Sequence, residues 1–199
     1  MNSKMPEAAS KAGKVPFRPI HYAEPSVSVE RRPDGNLLLQ SGHDLRPFAP
    51  SLVKLFRGAV ERRPDRKFIL ERDASGAWSG PTYAEMRRKV DAIAQALLDR
   101  GLSAERPVMA LSGNSVDLAT LTLACYTAGI PVAPISVAYS LQSQDHAKLK
   151  YINELLTPGL VYVSDTGPFA KALAHVTAPI LASSNSGNLA NVTLLADLE

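Results

Sequence analysis

The sequence predicts an α/β protein built on a mostly parallel sheet flanked by helices, with β-hairpins near its N-terminus. Three observations predict it. From Pro107 onward, short continuously apolar segments alternate with helical ones, as in a parallel sheet covered on both faces. Within that stretch, residues 108–135 read as one β-α-β unit whose crossover helix is apolar almost throughout. The 199-residue chain is 45% apolar and 21% charged, with a mean hydropathy of −0.05. A chain of this size buries roughly 70% of its unfolded surface, so a sizeable core needs no metal or disulfide staple.

Taken in order, residues 1–25 read as a flexible leader, polar and broken by prolines. Residues 26–30 alternate in polarity, Pro33–Asn36 is a turn, and Leu37–Gln40 returns, which predicts a hairpin. Ser51 can cap a helix with Leu52, Leu55, Phe56, Ala59 and Val60 on one face, ended by Pro64. Residues 68–70 and the segment around Trp78 flank Asp73–Gly76 as a second hairpin. Thr82 and Glu85 have capping-box spacing, and Tyr83, Met86, Val90, Ile93, Leu97 and Leu98 form the stripe of the helix that follows. Gly101 stands where a left-handed helix terminus belongs.

Val108–Leu111 then reads as a strand, residues 112–115 as a turn, Val116–Ala128 as a helix ended by Gly129, and residues 131–135 as a second strand. Ser143 caps a helix expected from about Gln144 to Leu156. Strands at 160–163 and 179–182 enclose a short helix over 168–175, and residues 192–195 form a last strand or docking segment. Three regions result: the leader 1–25, hairpins and amphipathic helices over 26–106, and a β-α-β parallel-sheet region over 107–199.

Charge and cysteine content exclude several function classes. Four basic residues and one acidic residue precede Pro19, leaving 18 basic and 18 acidic residues from totals of 22 and 19. The pI near 9.0 therefore comes from the leader, and the neutral remainder argues against nucleic-acid binding. No apolar run approaches the roughly 18 residues of a membrane helix, and the N-terminus lacks a signal-peptide core, so no membrane partner and a cytoplasmic location are expected. Cys125, the single cysteine, permits no internal disulfide.

Local chemistry is sparse. Neither G-x-x-x-x-G-K-[ST] nor G-x-G-x-x-G occurs, and no G-x-S-x-G elbow anchors a hydrolase triad. Gly113, Asn114 and Ser115 join a strand end to a helix start, where backbone amides and the helix dipole attract an anion; the same residues also suit a tight turn and a helix cap. His21, His43, His146 and His175 share no chelate spacing, so no metal site is expected, and Cys125 reads as a buried inert thiol. Tyr126, Tyr139 and Tyr151 suit core packing or stacking on a planar ligand. No residue is assigned a catalytic role.

Two ordered motifs carry the reading further. Residues 123–135, an apolar helix ending in Ala-Gly before a strand that closes on Pro-Ile, resemble a core motif of the adenylate-forming acyl-CoA and aryl-CoA ligases, and Thr82–Glu85 resembles that family's first core motif. Residues 18–22, 111–115, 136–140, 144–149 and 156–160 resemble the feruloyl-CoA synthetase branch. The resemblance implies an acid–thiol ligase that uses ATP, Mg and CoA to convert a hydroxycinnamate-type acid into an acyl-adenylate and then a CoA thioester. It further implies that the chain is the N-terminal part of a longer enzyme, cut before the ATP phosphate loop, whose main partner is the missing C-terminal remainder. Alone, the 199 residues are expected to be inactive, to hold no cofactor tightly, and to expose apolar surface or form a homodimer. By the same resemblance Ser136, Val137, Ala138 and Tyr139 lie on the CoA route; the same four residues also read as a structural turn after the strand. Alternatives are a ligase for fatty or other acids, and a self-contained, non-catalytic α/β binding module.

Overall fold

The computed structural model describes residues 21, 22 and 24–199. Most of the leader, and residues 18–20 of the first branch motif, lie outside the described residues. The chain divides into two units, one ending at Phe48 and the other running from Ala49 to Glu199.

In the first unit, β1 (Val27–Arg31) and β2 (Leu37–Ser41) form the predicted antiparallel hairpin with Val29 opposite Leu39. Asp34 Oδ1 accepts the Asn36 N–H at 3.0 Å, and Gly35 takes a φ of 86°, which the turn requires and a side chain disfavours.

The second unit opens with α1 (Leu52–Arg62), capped by Ser51, whose Oγ accepts the Lys54 N–H. Phe56 and Val60 are buried, whereas Leu52 and Leu55 stay exposed, so only half of the predicted stripe faces the core. The second hairpin pairs β3 (Glu71–Arg72) with β4 (Trp78–Ser79), one step later than the apolar run at 68–70 suggested. Gly80 is needed there, because a Cβ would meet the Ile69 carbonyl oxygen at 2.1 Å. Helix α2 (Tyr83–Asp99) begins with the full predicted capping box: Thr82 Oγ1 accepts the Glu85 N–H at 3.2 Å, and Glu85 Oε2 accepts the Thr82 N–H at 2.7 Å.

Five parallel strands follow: β5 (Val108–Leu111), β6 (Val132–Pro134), β7 (Leu160–Asp165), β8 (Ile180–Ser184) and β9 (Val192–Leu194), in the order β6-β5-β7-β8-β9. Helix α3 (Val116–Ala128) carries the chain from β5 to β6, and α6 (Thr166–Leu173) from β7 to β8. Because successive strand residues point to opposite faces, the buried run of β5 and β7 feeds two cores. Val108, Ala110, Leu160 and Tyr162 pack with Met86, Val90, Ile93 and Leu121 on the α2–α3 side. Met109, Leu111, Val161 and Val163 pack with Phe169 and Leu173 on the other side.

The region after β6 departs from expectation. A short helix, α4 (Ala138–Leu141), follows the strand, and α5 (Ala147–Leu156) starts three residues later than Gln144. His146 takes a left-handed conformation (φ 53°), while Ser143 Oγ accepts its N–H and Asp145 Oδ1 accepts that of Ala147. These bonds make a turn out of what reads as a first helical turn. Tyr126 and Tyr151 are 45% and 65% exposed, so for these two the core-packing alternative does not hold. Among the described residues, no helix is long and apolar enough to cross a membrane.

Candidate functional site

Parallel α/β sheets present their sites at the carboxyl ends of the strands, where the connections diverge. Here that point lies between β5, whose crossover leads to β6 on one side, and β7, which lies on the other. The end of β5 runs into Ser112–Ser115. Ser115 Oγ accepts the Leu118 N–H at 3.0 Å, and Glu71 Oε2, arriving from the β3–β4 hairpin, accepts the Val116 N–H at 3.0 Å. Two amides that an anion would use are thus bonded already, one of them to a carboxylate. Gly113 has open space where a Cβ would stand, so local packing does not demand a glycine there.

Beneath this turn lies Tyr162, fully buried, its hydroxyl 2.7 Å from Ser183 Oγ. Burial raises its pKa; the Ser183 contact opposes that, the charge of Asp117 adds to it, and Ser115 and Ser112 oppose it more weakly. Beside it, at the ends of β7 and β8, Asp165 Oδ1 accepts from the backbone N–H of Gly167 at 2.9 Å and from the N–H and hydroxyl of Ser186. Thr166 donates to Asn185 Oδ1 at 2.6 Å, and Asn185 in turn donates to the Leu189 carbonyl at 3.1 Å. The Ser186 hydroxyl, then the Gly167 amide, holds the Asp165 carboxyl below the usual carboxylate range. This network lies outside the sequence-derived site, because no motif links residues 21 positions apart.

Ser136 and Val137 leave β6, while Ala138 and Tyr139 open α4. The Ser136 carbonyl accepts the Tyr139 N–H at 2.9 Å, and Lys148 Nζ stands 5.0 Å from the Tyr139 ring centre. Buried His146 contacts the Ser140 carbonyl through Nε2 at 3.1 Å, and its ring centre lies 5.1 Å from that of His175, tying α4 to α5 and α6. The Gly113–Ser115 and Ser136–Tyr139 segments therefore both sit at the carboxyl edge of the sheet, at the ends of neighbouring strands.

An open groove of about 660 Å³ runs between the β3–β4 hairpin and α3, with Phe68, Leu70 and Trp78 on one wall and Val116, Ala119 and Leu123 on the other. Arg72 lies over the Trp78 ring, 4.8 Å from its centre. Burial pushes the Cys125 thiol up to about 12, which removes it as a nucleophile. Among the described residues, no three His, Cys, Asp or Glu side chains gather as a metal site would require. The described residues supply a polar edge and an apolar wall.

The chain matches the AMP-binding enzyme family over residues 56–182, from within α1 to within β8, and it belongs to that family. Its fold is shared by the luciferase-like enzyme of the nonluminescent mealworm Zophobas morio, 18% identical, with a TM-score of 0.60 over 79% of this chain and 36% of that one. It is also shared by a fatty acyl-adenylate ligase of L. pneumophila, solved with acyl adenylate and pyrophosphate: 20% identity, TM-score 0.54, 75% of this chain and 24% of that one. A Brucella canis acyl-CoA synthetase gives 13% identity and a TM-score of 0.55 over 67% of this chain and 24% of the other. The chain thus spans between 24% and 36% of the length of these three structures. No curated protein matches it.

Proposed function

We propose that this chain is the N-terminal part of an ATP-dependent acid–CoA ligase, which activates a carboxylic acid as an acyl-adenylate and transfers it to CoA. The observation that carries this reading is the AMP-binding family match across residues 56–182. The names of two structural neighbours, an acyl-CoA synthetase and a fatty acyl-adenylate ligase, agree with carboxylate activation.

In this reading the chain's own residues are scaffold and wall. The β5–α3 turn does not fit a triphosphate as it stands, because Glu71 holds the Val116 amide and adds a negative charge. Gly113, Asn114 and Ser115 become an anion contact only if Glu71 swings away. Ser136, Val137, Ala138 and Tyr139 remain the residues proposed for the CoA side, with Lys148 beside Tyr139 supplying positive charge. The groups that hold Mg-ATP and carry out adenylation are assigned to further polypeptide.

We assign the acid to the hydroxycinnamate type, supported by the five branch segments between residues 18 and 160. A fatty acid is the second reading, favoured by the name of the L. pneumophila neighbour. Thioester formation by the complete translation product, compared across ferulate, benzoate and medium-chain acids, separates them. Turnover of ferulate supports the assignment; turnover of the aliphatic acids alone overturns it.

A further inference from the structure

Helix α4 is held by little of its own. It has a single turn, Val137 gives its start no side-chain cap, and the hydroxyl of Ser140, 4% exposed, has no partner among the described residues. What fixes its far end is His146, whose Nε2 meets the Ser140 carbonyl at 3.1 Å. A carbonyl only accepts, so Nε2 carries the hydrogen of that bond.

His146 is itself under constraint. It is 5% exposed and takes a φ of 53°, a conformation that a non-glycine residue keeps only where its surroundings impose it. The Ser143 hydroxyl accepts its N–H at 3.0 Å, and the exposed ring of His175, just beyond α6, stands against its ring with centres 5.1 Å apart and planes tilted by 45°.

The charged groups around this pair are mostly cationic. Lys150 of α5 acts on His175, Lys171 of α6 precedes His175 by four residues, and Lys148 lies over the Tyr139 ring of α4. Glu154, four residues beyond Lys150, is exposed, and Asp145, the residue before His146, already accepts the Ser143 hydroxyl and the Ala147 amide on one oxygen. A proton on His175 therefore sets a positive charge against a buried ring and beside Lys150. Open water solvates that charge better, so the ring gains by turning away.

We propose that His146 is a positioning residue for Ser136–Tyr139 and that His175 makes its hold acid-sensitive: with both rings neutral α4 stays packed on α5 and α6, and protonation at His175 frees α4 together with the segment leading into it. The hold on α4 is independent of the ligase reading; its effect on CoA rests on that reading.

Hydrogen exchange of the 199-residue chain tests it, followed at residues 138–142 with α2 as reference and corrected for the intrinsic effect of pH on amide exchange. Between pH 7.5 and 5.5, protection of α4 is expected to fall about tenfold while that of α2 holds. His175→Gln, at an exposed position, removes most of the fall. His146→Asn, which tolerates a left-handed φ and keeps an amide donor without a titrating ring, removes it too. Protection that is absent at pH 7.5 or unchanged by pH overturns the proposal, as does a fall that persists in His175→Gln or that α2 shares. In the complete translation product, the KM for CoA should rise at pH 5.5 in the parent and not in His175→Gln. An unmoved KM overturns the positioning role, whereas absence of acid-dependent ATP–pyrophosphate exchange at every pH overturns the ligase reading and leaves the hydrogen-exchange result standing.

Discussion

Glu71 reaches across 45 residues of chain to accept the backbone N–H of Val116 at 3.0 Å, so the β3–β4 hairpin caps the helix that leaves β5. The carboxylate meets the positive end of α3 in the position a bound anion would take. That contact decides how the turn at Gly113–Ser115 is read, and it can be removed without touching the core.

Replacing Glu71 by Gln keeps an acceptor but removes the charge, and Ala removes both. Glu71→Ala is expected to cost about 0.5–1 kcal/mol in urea unfolding and Glu71→Gln less, since Ser115 still caps the helix. If the turn is an anion contact held shut by Glu71, Glu71→Gln also tightens pyrophosphate binding. Equal binding in both forms leaves the turn a cap only.

Gly113→Ala separates packing from function. With open space at the Cβ position and no left-handed φ, its stability is expected within about 0.5 kcal/mol of the parent chain. A fall in thioester formation by the complete product at unchanged stability would show that a ligand approaches this backbone.

The two sides of α3 and α5 predict a contrast in truncation. Leu121→Ala, at a fully buried position, should cost about 2–5 kcal/mol. Leu155→Ala, at a site 67% exposed, should fall within about 0.5 kcal/mol in the 199-residue chain. Paired urea titrations read both.

Two titrations have opposite signs. Burial lifts the Cys125 thiol from an ordinary 9.0 to about 12, so its contribution is complete below pH 9 and is lost as the pH rises towards 12. Loss of water around the ring, then the charge of Lys150 and the neighbouring His146, lowers the pKa of His175. Protonation of His175 is disfavoured by folding, so stability is held above pH 6.5 and falls below it. Thermal unfolding from pH 5 to 11 should show both flanks, with Cys125→Ala flattening the alkaline one and His175→Gln the acid one.

What the sequence revealed was local. The bounds of α3 were readable to the residue because Ser115 caps one end and Gly129, at φ 72°, closes the other. The two faces of β5 and β7 could not be separated from their composition, yet a continuous apolar run was enough to mark them as central strands. The start of α5 escaped because His146 adopts a left-handed conformation that its residue type does not announce. Helix α4 has four residues, too few for any periodicity. Glu71–Val116 and Asp165–Ser186 join positions that only the fold brings together. Core packing failed for Tyr126 and Tyr151 for a related reason: helical spacing shows which residues share a face and leaves open what covers it.

On the proposed function, this scaffold serves carboxylate activation completed by other polypeptide. Acid-dependent ATP–pyrophosphate exchange, measured side by side on the complete translation product and on the 199-residue chain, tests it most directly. Exchange by the former and none by the latter is expected; exchange by the 199 residues alone would contradict the proposed function.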